Sequence, residues 1–223
     1  MGSKRLVVVT KWGCEDPFRD MYDSVLYNVP STITPDDTLV LEGGTDISTT
    51  LYHQAPSKRT QFPDRVRDMI ERRLIISFAD AGASILAICR GAQLATAFVG
   101  GKLIQHVRGH NKGHLIHTDK GDALWSSSLH HQMMYPFELK EGEEYKLLGW
   151  SHKRLSNTYI NQHDEEFWQD EEPPVYFKEP EIVWYPKIRA LAIQGHPEYM
   201  KPSDRFVKHC RNLVEEYLFN ANH

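Results

Sequence analysis

Three short apolar segments and one long amphipathic segment predict an α/β chain, a sheet with parallel strands covered by helices on both faces. The segments "RLVVVT" (5–10), "TLVLEGG" (38–44) and "SILAIC" (84–89) are partly β-branched and bounded by turn residues, the pattern of strands buried on both faces. Between the second and third lies "FPDRVRDMIERRLIISFADAG" (62–82), where Val66, Met69, Ile70, Leu74 and Phe78 recur at helical spacing before Gly82. This predicts a crossover helix with those residues as its apolar stripe.

The remaining elements follow in order. "GAQLATAFVGG" (91–101) is apolar nearly all round and ends in a glycine pair, as a helix buried against a sheet would. "EIVWYPKIRALAIQG" (181–195) reads as two strands around Tyr185-Pro186-Lys187. From Ser203, a plausible N-cap, Phe206, Cys210, Leu213, Val214, Tyr217 and Leu218 fall on one stripe of a final helix. Residues 151–180, rich in Asp, Glu and Pro, read as a loop insertion, and the acidic "HDEEFWQDEEPP" (163–174) as a solvated part of it. No repeat and no long linker divides the 223 residues, so a single domain over 1–223 is expected.

Composition excludes several classes. The 26 Lys and Arg are dispersed among 30 Asp and Glu, a net charge of −4, so no basic stripe points to nucleic acid. No apolar run approaches the length of a membrane span, and the N-terminal run is too short for a secretory signal. A cytoplasmic protein is expected. Cys14, Cys89 and Cys210 are an odd, widely spaced set without a CxxC, which argues against a disulfide framework or a thiolate metal site.

Cys89 stands where a predicted strand becomes a predicted helix. A nucleophile on that sharp turn projects free of its neighbours, and the helix N-terminus behind it favours thiolate. A partner is offered by "QGHPEYM" (194–200), where His196 ends an apolar strand. In an extended segment Glu198, two residues on, would point the same way and orient the imidazole.

The segments "AICRGAQLATAFVGGKL" and "AIQGHPE" together resemble the class I glutamine amidotransferase-like superfamily, with its elbow Cys-x-Gly-x-Gln and later His-Pro-Glu. More narrowly, "LEGGTDISTTLY" (41–52) and "SLHHQMM" (128–134) are similar to the γ-glutamyl hydrolase branch, peptidase C26, which includes γ-glutamyl-γ-aminobutyrate hydrolases. The resemblance implies a flavodoxin-like three-layer sandwich with a mostly parallel central sheet and a nucleophile elbow. It implies a catalytic triad of Cys89, His196 and Glu198, an oxyanion hole from the N–H groups of Gly44 and Arg90, and substrate contacts at Gly43, Gln93, His130 and His131. The implied reaction is hydrolysis of a γ-glutamyl amide or of glutamine through a thioester, with no cofactor. The alternative is a glutaminase component that donates ammonia to a separate synthetase partner.

Two further expectations concern the surroundings of the site. His106, His110, His114 and His117 lie within twelve residues, yet lack carboxylate or thiolate co-ligands nearby in sequence, so no metal is expected. Gly195 stands where many relatives carry a bulky residue, which would widen the pocket beside His196. Cys14 and Cys210 are expected to serve packing alone.

Overall fold

The computed structural model describes residues 2–10, 12–164 and 177–220. Its strands are β1 (Arg5–Val8), β2 (Ser24–Leu26), β3 (Asp37–Leu41), β4 (Ser84–Ile88), β5 (Lys102–Ile104), β6 (His106–Val107), β7 (His114–Thr118), β8 (Ala123–Ser126), β9 (Met133–Tyr135), β10 (Lys146–Ser151), β11 (Tyr159–Ile160), β12 (Pro180–Tyr185) and β13 (Ala190–Ile193). Three α-helices accompany them: α1 (Arg65–Asp80), α2 (Arg90–Phe98) and α3 (Arg205–Leu213).

A nine-stranded sheet runs in the order β2-β1-β3-β4-β13-β12-β10-β7-β8. The β2, β1, β3, β4 and β13 ladders are parallel, and the ladders from β13 out to β8 are antiparallel. The three apolar segments predicted as buried parallel strands are β1, β3 and β4. β12 and β13 form the expected antiparallel pair around a turn at Pro186–Ile188.

Alternation along the strands assigns the two faces. Val7, Leu39, Leu41, Ile85 and Ala87 pack with Ile75 and Phe78 of α1 and Ala92 and Ala95 of α2. Leu6, Val8, Val40, Leu86 and Ile88 pack with Phe206, Cys210 and Leu213 of α3 on the opposite face. Successive strand residues point to opposite faces, so one continuous run of apolar residues supplies both cores.

The crossover helix is present, but its face differs from the predicted stripe. Val66, Met69 and Ile70 are exposed, whereas Asp68, Glu71, Ile75 and Phe78 are buried. The reason is Arg90, almost fully buried at the start of α2, whose guanidinium pairs with Asp68 and Glu71. A buried cation needs buried anions, and this pairing overrides the apolar period of the helix.

The segment 151–180 begins at the end of β10, contributes β11 to a pairing with β6, and rejoins the sheet at β12. Residues 165–176, with most of the acidic stretch, lie outside the described residues. The last helix starts one residue later than expected, with Asp204 at its N-cap. Its stripe continues past Leu213 through a wider π-type turn to Phe219. Among the described residues no helix is long and apolar enough to cross a membrane.

Replacing Arg90 with Met should leave Asp68 and Glu71 buried without their cation. Urea unfolding should show a loss of about 3–5 kcal/mol, the range for breaking a buried ion pair from one side. A loss under about 1 kcal/mol, the scale of exposed pairs, would show that the network does not anchor the helix.

Candidate active site

β4 ends at Ile88, α2 begins at Arg90, and Cys89 between them has φ 50° and ψ −104°. A positive φ is strained for a residue with a β-carbon. Two backbone hydrogen bonds hold it: Cys89 N–H donates to Ile193 O at 2.8 Å, and Gln93 N–H donates to Cys89 O at 3.1 Å. The turn also needs Gly91, because a β-carbon there would lie 2.2 Å from the carbonyl oxygen of Leu41. Glycine therefore lets the elbow press against the end of β3.

The neighbouring strand ends complete the cluster. A β-carbon on Gly43 would lie 3.4 Å from His196 Cε1 and 3.8 Å from Cys89 Cβ, so the backbone after β3 runs beside both side chains. Gly44, at φ 148°, would clash with the side chains of Arg67 and Arg90 if it carried a β-carbon. Arg67 donates from Nη1 to Gly43 O at 2.9 Å and from Nη2 to Glu42 O at 3.0 Å. Its Nε reaches Glu71 at 2.7 Å, which links the glycine pair to the Arg90 network. Arg90 opens α2, so its N–H is one of those at a helix start that lack an intrahelical acceptor.

His196 follows β13, and its Nδ1 lies 2.7 Å from Glu198 Oε1. The expected contact is present, but a turn over Pro197–Tyr199 brings the carboxylate back rather than extended backbone. Ser127 secures the histidine main chain: its hydroxyl donates to His196 O and accepts from His196 N–H. The exposed ring of Tyr199 stacks on the imidazole at 4.7 Å and 13°. Burial favours the neutral ring, but the neighbouring Cys89 sulfur and the hydrogen bond to Glu198 outweigh it and raise the His196 pKa to about 10.

The other cysteines differ in character. Cys14 is buried, and its thiol donates to Glu198 Oε1 at 3.3 Å. Burial first, and the Glu198 charge second, push its pKa up; burial does the same to Cys210. Cys14 is therefore more than packing, since it touches the carboxylate that orients His196. No spacing in the sequence signals this contact, which joins residues 184 apart.

The expected substrate contacts fall into two groups. Gly43 lies beside Cys89, and Gln93 is buried on α2 with its amide directed at Gln132 O (3.3 Å) and Gln194 Oε1 (3.4 Å). His130 and His131 turn toward protein groups: His130 Nδ1 donates to Gln132 O, and His131 Nε2 meets Asp46 Oδ1 at 3.0 Å. Gly195 does not widen a pocket. A β-carbon there would lie 2.5 Å from Ser126 Oγ and 2.8 Å from Ser127 O, so this glycine permits close packing of β13 against the 126–127 segment.

Comparison with known proteins gives the family. The Peptidase C26 family model matches residues 24–155. The chain is 33% identical over 106 residues to the glutamine amidotransferase-like protein YvdE of Lactococcus lactis, covering 44% of this chain and 45% of that one. It is 27% identical over 188 residues to protein NtpR of Enterococcus hirae, covering 82% and 72%. The chain thus spans under half the length of YvdE. Among solved structures, PurLQS from Thermotoga maritima superposes with a TM-score of 0.61 at 16% identity over 97% of this chain and 100% of that one. A glutamine amidotransferase from the same organism gives 0.55 at 15% over 97% and 86%; at such identities the likeness establishes the flavodoxin-like fold alone. With the family model covering more than half of its length, the chain belongs to the Peptidase C26 family of the class I glutamine amidotransferase-like superfamily.

Proposed function

We propose that this chain hydrolyses the γ-glutamyl amide bond of a small γ-glutamyl compound or of glutamine through a thioester on Cys89. The observation that carries the reading is the strained elbow of Cys89 set against His196, whose other face is held by Glu198 at 2.7 Å. A histidine with a pKa near 10 keeps its proton at neutral pH, which favours a thiolate–imidazolium pair.

The chemistry then needs few steps. Cys89 Sγ attacks the γ-carbonyl carbon, and the new oxyanion accepts hydrogen bonds from the N–H groups of Gly44 and Arg90. Collapse breaks the C–N bond as His196 Nε2 gives its proton to the departing amine. Water then attacks the thioester and loses a proton to His196, releasing glutamate and restoring the pair. Glu198 keeps the imidazole in register throughout. Gln93 and the Gly43 backbone are assigned to the glutamyl group; His130 and His131, engaged with the protein, are not assigned direct contact.

The amine side has a candidate location. A depression of about 530 Å³ is lined by Trp125, Leu129, Met200 and Tyr199, whose ring stacks on His196, and Trp125, Leu129 and Tyr199 are largely exposed. Apolar and aromatic walls suit an alkyl or aryl amine. The alternative reading is a glutaminase component that gives ammonia to a separate synthetase.

Assay of the isolated chain separates these readings. Hydrolysis of γ-glutamyl-p-nitroanilide with refusal of the α-isomer is expected; silence on that substrate with ammonia release from glutamine only beside a synthetase would favour the alternative. Cys89→Ala should abolish turnover, His196→Ala should cost about 10²–10⁴-fold in kcat, and Glu198→Gln should cost less. Glu198→Gln proving the more damaging in folded protein would reverse the two roles.

The proton affinity of His196 is directly measurable by NMR titration of its ring. It should titrate near pH 10 in the intact protein and lower in Cys89→Ala and in Glu198→Gln. Because the folded value lies above the ordinary 6.5, this group stabilises the fold fully below about pH 6.5, and that contribution is lost as pH rises through about 10. Titration near 6.5 in the intact protein would contradict the ion-pair account.

A further inference from the structure

Three histidines, two from the histidine-rich stretch and one from the 128–134 segment, converge on one buried carboxylate oxygen outside the Cys89–His196–Glu198 set. Glu181 Oε1, on β12, lies 3.1 Å from His110 Nδ1, 2.8 Å from His114 Nε2 and 3.8 Å from His130 Nε2. The carboxylates that the histidine-rich stretch lacks nearby in sequence are delivered by β12 and the residue before it. We infer that His110, His130 and Glu181 form a binding site for a single divalent transition-metal ion of the zinc class, with His114 bracing Glu181 Oε1 beside it.

The spacing fits such an ion. With bonds of about 2.0–2.1 Å, donor atoms around such an ion stand roughly 3.3 Å apart, and His110 Nδ1 and His130 Nε2 lie 3.1 Å and 3.8 Å from Glu181 Oε1. Donor atoms of His110, His130 and Glu181 all lie within 4.8 Å of one another. Two imidazoles and one carboxylate suit zinc, cobalt or iron rather than magnesium or calcium, which prefer oxygen throughout.

The surroundings of the histidines carry the case further. Imidazole ligands characteristically give their second ring N–H to a carbonyl or carboxylate, which fixes the tautomer and frees the first nitrogen. His130 Nδ1 donates to Gln132 O at 2.7 Å, and His114 Nδ1 donates to Lys112 O at 3.1 Å. His110 Nε2 faces Glu179 Oε2 at 3.1 Å. Glu179 is itself fixed by Tyr159 Oη–H and the N–H groups of Leu155 and Ser156. Each of the three rings therefore presents its remaining nitrogen to Glu181.

Two further observations point to a ligand. His110 Nε2, His130 Nε2 and Glu181 Oε2 are buried without a well-formed hydrogen bond among the described residues, and orphaned buried polar atoms are costly. Glu179 and Glu181 are both almost fully buried, with no Lys or Arg paired to them among the described residues. Buried carboxylates are ordinarily paired with cations or bound to metal. His114 lines a surface depression with Gly113, Trp125 and His152, which gives an ion a route in.

Such an ion would be held by three protein donors, with its fourth position left to water. It would tie β12 and the approach to β7 to the segment carrying Ser127 and His130. Ser127 in turn holds the main chain of His196. The inference stands apart from the γ-glutamyl reading, since metal uptake is measured without substrate.

The test uses untagged full-length protein stripped with a chelator, then titrated with Zn²⁺ or Co²⁺ and analysed by elemental mass spectrometry and visible absorption. One equivalent bound per chain, intense Co²⁺ bands of tetrahedral type and a raised Tm with Zn²⁺ are expected. Glu181→Gln and His130→Asn should each weaken binding by more than about 100-fold, beyond the 10–100-fold typical of outer partners. Should either buried variant fail to fold by circular dichroism, His114→Ala at the edge of the site is the decisive substitution, and it too should weaken binding at least tenfold. His117→Ala, whose ring pairs with His152, should bind as the unaltered chain does. Failure of the unaltered chain to take up a stoichiometric ion, or equal uptake by His114→Ala, would overturn the site. Either result would leave His110 as a protonated ring held between two carboxylates.

Discussion

The turn at Cys89 is the constraint around which the rest of the structure is arranged. A residue with a β-carbon at φ 50° is unfavourable by of order 1–3 kcal/mol and persists only where its surroundings leave it no alternative. Here those surroundings are the two central strands. Ile193 of β13 accepts the N–H of Cys89, and Leu41 of β3 is so close to Gly91 that no side chain fits between them. Parallel pairing of β3, β4 and β13 brings their carboxyl ends to one edge, and each end contributes to the cluster: the glycine pair, the cysteine and the histidine. Loops at the carboxyl edge of such sheets are where ligands bind.

A second layer of constraint comes from buried charge. Arg90 is the residue after the elbow, yet its side chain turns away from the site and into Asp68 and Glu71 of α1. Glu71 also holds Arg67, which bonds the carbonyls of Glu42 and Gly43. One network thereby fixes the start of α2 and the strand end opposite it. Pairing of this kind adds little net stability over an apolar core but defines a unique geometry, which suits a site where donors must be held within fractions of an ångström.

Much of this was legible in the residues alone. β1, β3 and β4 are short, branched and flanked by turn residues, and both faces of each are buried. The elbow and the HPE segment carried the family resemblance and lie side by side in space. What could not be read required contacts between distant residues. The apolar period of α1 pointed the wrong way because Arg90, ten residues beyond its end, draws two acids inward. Gly195 read as open space, whereas Ser126 and Ser127 fill it. Cys14 reaches Glu198, and Glu179 and Glu181 reach the histidines of β7 and its approach, only through sheet pairing. Local patterns describe elements well; they carry no information on which polar side chains will be buried together.

Cys89 as the atom that bonds to substrate is the central claim, and a covalent intermediate is its most direct consequence. Rapid acid quench during turnover of a γ-glutamyl amide, followed by peptide mass spectrometry, measures it. A hydroxylamine-sensitive glutamyl adduct should be found on the peptide bearing Cys89 and on no other. Steady turnover with no adduct, or an adduct on Cys14 or Cys210, would contradict the account.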